Sequence, residues 1–238
     1  MGKFFVIFKK ELKSYFNSPI AYIFITVFIV LMNWLFFRTF FIIKQSSMRT
    51  FFSLLPWFLL FFAPALTMRL WAEEKKAGTL EFLMTMPISD FAVTFGKYLA
   101  AVLLLSLTII LTLTVPFSIS KIGNLDFGQI IGQYLGAILL GASLISIGLF
   151  FSSLTENQII AFIITIVLSF ILIIIGEPFI VNLVPDYLSS ILKYISLISH
   201  YDSIGRGIID SKDIIYYFSV IFLFIFLNLK TIESRKWK

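Results

Sequence analysis

Six stretches of this chain, residues 20–43, 51–70, 98–119, 130–154, 159–181 and 214–229, are almost wholly apolar and are divided by short polar breaks. A bilayer core about 30 Å thick needs about 20 apolar residues per helical crossing, and each stretch is long enough to supply one. Lipid cannot satisfy open backbone groups, so only helices or a closed barrel can span it. The roughly ten-residue alternation of a barrel is missing from these stretches. The expected fold is therefore an all-α membrane protein, with six transmembrane helices in a single domain over 1–238. Composition agrees. Only 13% of residues are charged, against about 25% in soluble domains, and the 29 Phe are more than a water-facing surface would tolerate. Neither an internal duplication nor a soluble linker is visible.

The charges set the topology. With the N-terminus inside, twelve of the 19 Lys and Arg fall in inner segments and seven in outer ones. That bias puts both termini in the cytosol, although Arg38, Lys44 and Arg49 in the first outer loop dissent. A net charge of +6 would suit nucleic acid, but these cations flank apolar runs instead of forming a basic face, so no nucleic-acid partner is expected. The basic start followed by an apolar run resembles a signal peptide. The run is too long and no small-x-small site follows it, so it is expected to be retained.

Several chemistries are excluded. There is no Cys, hence no disulfide or thiolate metal site. The single histidine, His200, is expected at the surface of a Ser-rich outer loop, with no metal site around it. Gly96-Lys97 lacks the upstream glycine and the following hydroxyl of a P-loop, so the chain is expected to be no enzyme and to bind no cofactor. The Glu73-Glu74 pair is followed by Gly78 where the Glu-Glu-x-x-x-Arg motif of intramembrane metalloproteases needs arginine.

The interruptions carry more information. At 100° per residue, Phe4, Phe5, Phe8, Leu12, Tyr15 and Phe16 fall within one arc of roughly 120°, and Lys3, Lys9, Lys10 and Lys13 fall in the neighbouring arc. Residues 1–18 are expected to lie as an interfacial helix, rings in lipid and lysines toward anionic headgroups. Pro56 and Pro64 interrupt the second span; each either bends a helix lining a pathway or makes a structural kink. Gly128, Gly132 and Gly136 form overlapping GxxxG steps, expected to serve close helix packing inside the subunit. In 176–213, Gly176-Glu177-Pro178 and Val184-Pro185-Asp186 break the apolar run, giving short re-entrant helices at the outer face. Glu177 is either a functional acid at membrane depth or a turn residue just outside it.

The segment 72–89 stands apart, charged between two greasy spans. Arg69-Leu70-Trp71 closes the second span with an interfacial Trp and a cation. Glu73, Glu74, Lys75 and Lys76 then continue the helix outside the membrane. Gly78 suits a left-handed position at its end. Thr79 can cap a second short helix, with Glu81 in its first turn near the positive dipole end. Leu80, Leu83, Met84 and Met86 give that helix an apolar surface, and Met adapts readily to a partner's groove. Pro87 ends it, and Ser89 can cap the next span. The expectation is a rigid cytosolic elbow gripped by another protein.

On these residues the chain resembles the membrane subunits of ABC exporters of the ABC-2 type. The specific element is Glu-Glu-x-x-x-Gly-Thr-Leu-Glu between spans 2 and 3, here Glu73, Glu74, Gly78, Thr79, Leu80 and Glu81, followed by Pro87-Ile88-Ser89 and Gly96-Lys97. The opening Lys10-Glu11-Leu12-Lys13-Ser14-Tyr15-Phe16-Asn17-Ser18-Pro19 is most similar to permeases of the gliding-motility-associated subgroup. The resemblance implies that the elbow is a coupling helix docked in a separate ABC ATPase subunit, which binds ATP and Mg. It implies a second permease copy or paralogue, spans 2 and 5 lining the route, and residence in the bacterial cytoplasmic membrane. The competing functions are an ATPase-independent carrier and a non-transport scaffold of an envelope or motility complex. The near absence of mid-membrane charge speaks against a carrier.

Overall fold

The computed structural model describes residues 3–43, 47–207 and 210–234. The described residues that form regular structure are helical. Helix α1 (Lys3–Asn17) is separated from α2 (Pro19–Ile43) by Ser18, whose hydroxyl accepts a bond from the Ile20 amide at 3.3 Å. Pro19 starts α2, where its missing N–H costs nothing. Helices α3 (Arg49–Thr67) and α4 (Arg69–Lys76) follow almost end to end, then α5 (Thr79–Thr85), α6 (Asp90–Leu111) and α7 (Thr114–Ile119). The rest are α8 (Phe127–Leu154), α9 (Gln158–Ile174), α10 (Pro178–Val181), α11 (Asp186–Ile195), α12 (Leu197–Gly205) and α13 (Ser211–Glu233).

Five helical stretches among the described residues are long and apolar enough to cross a membrane: Pro19–Ile43, Arg49–Lys76, Asp90–Ile119, Phe127–Leu154 and Ser211–Glu233. The expected fifth span, 159–181, is instead divided. Helix α9 has 17 residues, about 25 Å at 1.5 Å per residue and short of the hydrocarbon thickness. Local chemistry explains the division. Glu177, before Pro178, is held extended at ψ 140, because the proline ring crowds the helical conformation of its predecessor. Gly176 lets α12 approach; a Cβ there would stand 2.1 Å from the Ser196 hydroxyl.

Helix α8 is the axis of the bundle and packs against α3, α4, α6, α9, α12 and α13. Its small residues permit this, because association in lipid depends on close contact and not on hydrophobic exclusion. A Cβ on Gly141 would lie 2.5 Å from Leu105 Cδ2, and one on Gly148 would lie 2.0 Å from the Thr67 hydroxyl. Gly132 and Gly136 face Ile204 and Tyr201 of α12, so that step serves close packing within the chain, whereas Gly128 is exposed and a Cβ there would meet only the Asp126 side chain that caps its own helix. Edge-to-face rings fasten α2 to α3: Phe24 and Phe28 lie 4.9 and 5.0 Å from Phe62. Such pairs are worth about 0.5–1.5 kcal/mol each beyond their area.

The bundle has two distinct ends. At one, α1 lies across the start of α6, beside α4, α5 and the C-terminal ends of α8 and α13. At the other, α12 covers the starts of α8 and α13, and α10 and α11 lead into it.

Candidate functional site

The elbow begins at a repaired break. Helix α3 gives way to α4 at Met68, and Ser152 of α8 bridges the discontinuity. Its hydroxyl donates to the Met68 carbonyl at 2.9 Å and accepts from the Trp71 and Ala72 amides at 3.0 and 3.2 Å. The first turn of α4, whose amides lack partners within the helix, is thus satisfied by a neighbour. Pro56 and Pro64 both lie buried inside α3. The Thr67 hydroxyl donates to the carbonyls of Ala63 and Pro64 at 3.1 and 3.2 Å.

Helix α4 ends with Lys75 and Lys76 in its last turn, where the dipole favours cations. Lys75 donates to the Ser153 carbonyl, joining this turn to the end of α8. Gly78 follows in the left-handed conformation, φ 68 and ψ 9. A Cβ there would meet nothing within 4 Å, so the demand for glycine is conformational and not steric. Thr79 does not cap α5 as expected. Gly78 holds the cap position, and the Thr79 hydroxyl reaches back to the Glu74 carbonyl at 3.2 Å, pinning the turn from its far side. Glu81 sits in the first turn of α5, and Ser89 caps α6 by accepting from the Ala92 amide at 3.3 Å.

The faces of α5 differ from the expectation. Leu83 is buried against the chain's own core and Leu80 is half-buried against it. Glu73, Lys76 and Glu81 face outward, and the large apolar residue exposed among them is Phe82, at 67%. The side chain of Met84 lies outside the described residues. Sequence reasoning missed Phe82; Leu80 and Leu83, three apart on one helical face, leave it on the other.

Beneath the elbow lies a cluster of charge. Lys97 of α6 is 1% exposed, and its ammonium bonds Glu74 of α4 at 2.8 Å and Glu11 of α1 at 3.1 Å. Lys10, largely exposed, stands 3.7 Å from Glu11 and 3.9 Å from Glu74. Trp71 was expected at the interface, but it is fully buried, with its ring 5.0 Å from the Lys97 nitrogen. A desolvated ammonium persists only when paired, so this lysine ties three helices together. The glycine before it makes the approach possible: a Cβ on Gly96 would lie 3.0 Å from Ile7 Cγ2.

Helix α1 consequently has three faces. Ile7, Glu11 and Tyr15 point inward. Phe4, Phe8, Leu12 and Phe16 are half-buried beside them, while Phe5, Lys9, Lys10 and Lys13 are exposed. The expected aromatic arc had placed Tyr15 in lipid. Instead its hydroxyl donates to the Leu66 carbonyl at 3.0 Å and its ring lies 4.6 Å from the Arg69 guanidinium. Burial holds the phenol proton on more tightly than usual, against the pull of Arg69.

The remaining expected residues lie elsewhere. Glu177 is half-buried at the far end of the bundle, at the turn into α10. It joins neither the prolines of α3 nor the elbow. His200 is not a surface residue. It is buried, with Nδ1 2.7 Å from an Asp213 carboxylate oxygen, Nε2 3.0 Å from the Tyr194 carbonyl, and its ring stacked on Tyr216. Its partners come from α11 and α13, which sequence proximity to Ser-rich loop residues could not reveal.

A bundle with five helical stretches long and apolar enough to cross a bilayer is the architecture of a multi-pass membrane protein. The sequence model described as ABC-2 family transporter protein matches residues 43–229. The chain belongs to the ABC-2 transporter family, and that membership implies membrane embedding and a partner ATPase. No curated protein matches the chain.

Proposed function

We propose that the chain is the permease subunit of an ATP-driven exporter, and that the α4–α5 elbow transmits the partner's nucleotide cycle to the spans. ATP and Mg reside in that partner, and this chain contributes no hydrolytic group. The observation that carries the reading is the connection of Glu74 in α4 to Lys97 in α6 and Glu11 in α1. A push on the elbow reaches two further helices through one buried cation. Family membership supplies the partner ATPase, and the elbow's exposed Phe82, Glu73, Lys76 and Glu81 offer it a contact surface.

In this reading the elbow, α1 and both termini are cytosolic. Helix α9 with α10 makes the sixth crossing, its short length met by local thinning of the bilayer. A second permease copy or paralogue completes the unit in the bacterial cytoplasmic membrane, and the opening segment is similar to that of gliding-motility-associated permeases. The test is co-purification of the tagged chain with a P-loop ATPase, compared with Phe82→Ala. Loss of an exposed aromatic anchor should weaken the association by at least about tenfold while leaving the thermal unfolding of the isolated chain unchanged. A chain that purifies without any P-loop ATPase from the cells that natively express it would overturn the reading.

A further inference from the structure

At the end of the bundle opposite the elbow, a cavity of ≈ 620 Å³ opens between the first turns of α3 and α8 and the end of α12. A smaller cavity of ≈ 200 Å³ adjoins it and shares Arg49, Gln129 and Gln133 with it. The walls of the larger cavity carry two cations, Arg49 and Arg206, with Ser53, Gln129 and Gln133 between them. Among the described residues, neither guanidinium has a carboxylate within ion-pairing distance. Gln133 spends one amide hydrogen on the Gly205 carbonyl at 3.0 Å, which fixes the side chain and leaves its other N–H free to donate. The floor is aromatic. Tyr201 and Phe52 are buried, and the Tyr201 hydroxyl is committed to the Phe52 carbonyl at 3.0 Å, so it is not free to donate to a ligand.

We infer that this cavity binds the anionic group, phosphate or carboxylate, of a small or amphipathic ligand, clamped between Arg49 and Arg206 and oriented by Gln133. Guanidinium groups present planar forks that match such oxyanions, and charge-assisted bonds of this kind are the stronger ones. The one carboxylate in the wall, Asp202, competes with a bound anion for the two arginines; burial and the nearby Glu177 raise its pKa, against the pull of Arg206 and Arg49. The inference rests on the cavity alone and does not require the coupling assigned to the elbow.

The purified chain in neutral detergent would be titrated with inorganic phosphate, short-chain phosphatidylglycerol and short-chain phosphatidylcholine, following the unfolding temperature and the heat of binding. Saturable stabilisation by an anion is expected, weakening as salt is added. Stabilisation by phosphate itself assigns a free anion, and stabilisation by phosphatidylglycerol alone assigns a lipid headgroup. Arg49→Gln and Arg206→Gln should each weaken binding by about tenfold or more. Both side chains are exposed, so the unliganded unfolding temperature should hold, which separates lost binding from lost fold. Equal stabilisation by phosphatidylcholine, or saturable anion binding retained in the double variant, would overturn the assignment.

Discussion

Lys97 is the residue on which the elbow end of the protein turns. Its charge is withdrawn from solvent and matched by two carboxylates from helices far apart in sequence. One oxygen of Glu74 remains buried without a hydrogen-bond partner, so the cluster is closely poised and not over-satisfied. Lys97→Met would leave Glu11 and Glu74 short of their buried cation, with exposed Lys10 nearby. Breaking a buried pair by removing one member costs about 3–5 kcal/mol. We expect a loss in that range, read from denaturation in detergent. The triple variant Lys97→Met, Glu11→Gln, Glu74→Gln should recover most of it, because no charge is then stranded. Gly78 makes a different demand. With φ at 68 and open space around its Cα, Gly78→Val should cost about 1–3 kcal/mol through backbone strain, whereas Gly78→Asn, which tolerates the left-handed region, should be close to neutral. In the assembled complex the valine variant should lower substrate-stimulated ATP turnover; unchanged turnover would separate the turn from coupling.

Among the elements, α8 decides how closely the others can come. Its glycines are placed where side chains of α3 and α6 project into it, and Thr67 occupies the space that a Gly148 side chain would need. Gly148→Ala should therefore cost about 1–3 kcal/mol by overpacking. Thr67→Ala in the same chain should return part of that loss, a coupling that thermal unfolding of the two single variants and the double variant would reveal. Helix α1 shows the opposite design. It shares little with α8, yet the Gly96 crossing and the Glu11–Lys97 bond attach it firmly to α6. The elbow therefore acts on two partners: directly on α8 through Ser152 and Ser153, and on α1 through the Glu74–Lys97–Glu11 bonds at α6.

Across the whole molecule, the charge-anchored end and the polar cavity end are separated by the length of the spans. If the elbow is cytosolic, the cavity is outside. The chain has no native cysteine, so single cysteines can be introduced without removing others. Glu81→Cys in the elbow should react with an impermeant maleimide only after the membrane is opened. Leu183→Cys, 82% exposed at the turn after α10, should react in intact spheroplasts. The reverse pattern would invert the topology and remove the elbow from any cytosolic ATPase.

The sequence alone determined the solvent and the class. Long apolar runs admit only membrane helices, Pro178 and Gly176 mark a break in the fifth run, and the order of Gly78, Glu81 and Ser89 spells a turn, a short helix and a capped span, because these signals act over a few residues of backbone. Tertiary structure decided which polar groups were buried. Lys97, Trp71 and His200 look like boundary or surface residues when their neighbours in sequence are considered. Their partners lie 86, 23 and 13 residues away for Glu11, Glu74 and Asp213, and for Trp71 the partner is Lys97 itself. The face of α5 was likewise settled by packing: Leu80 and Leu83 share one side and Phe82 takes the other, and only the position of α5 against the bundle turns Leu83 inward and leaves Phe82 outside. Periodicity reports that a helix has an apolar side; it carries no information on what that side will meet.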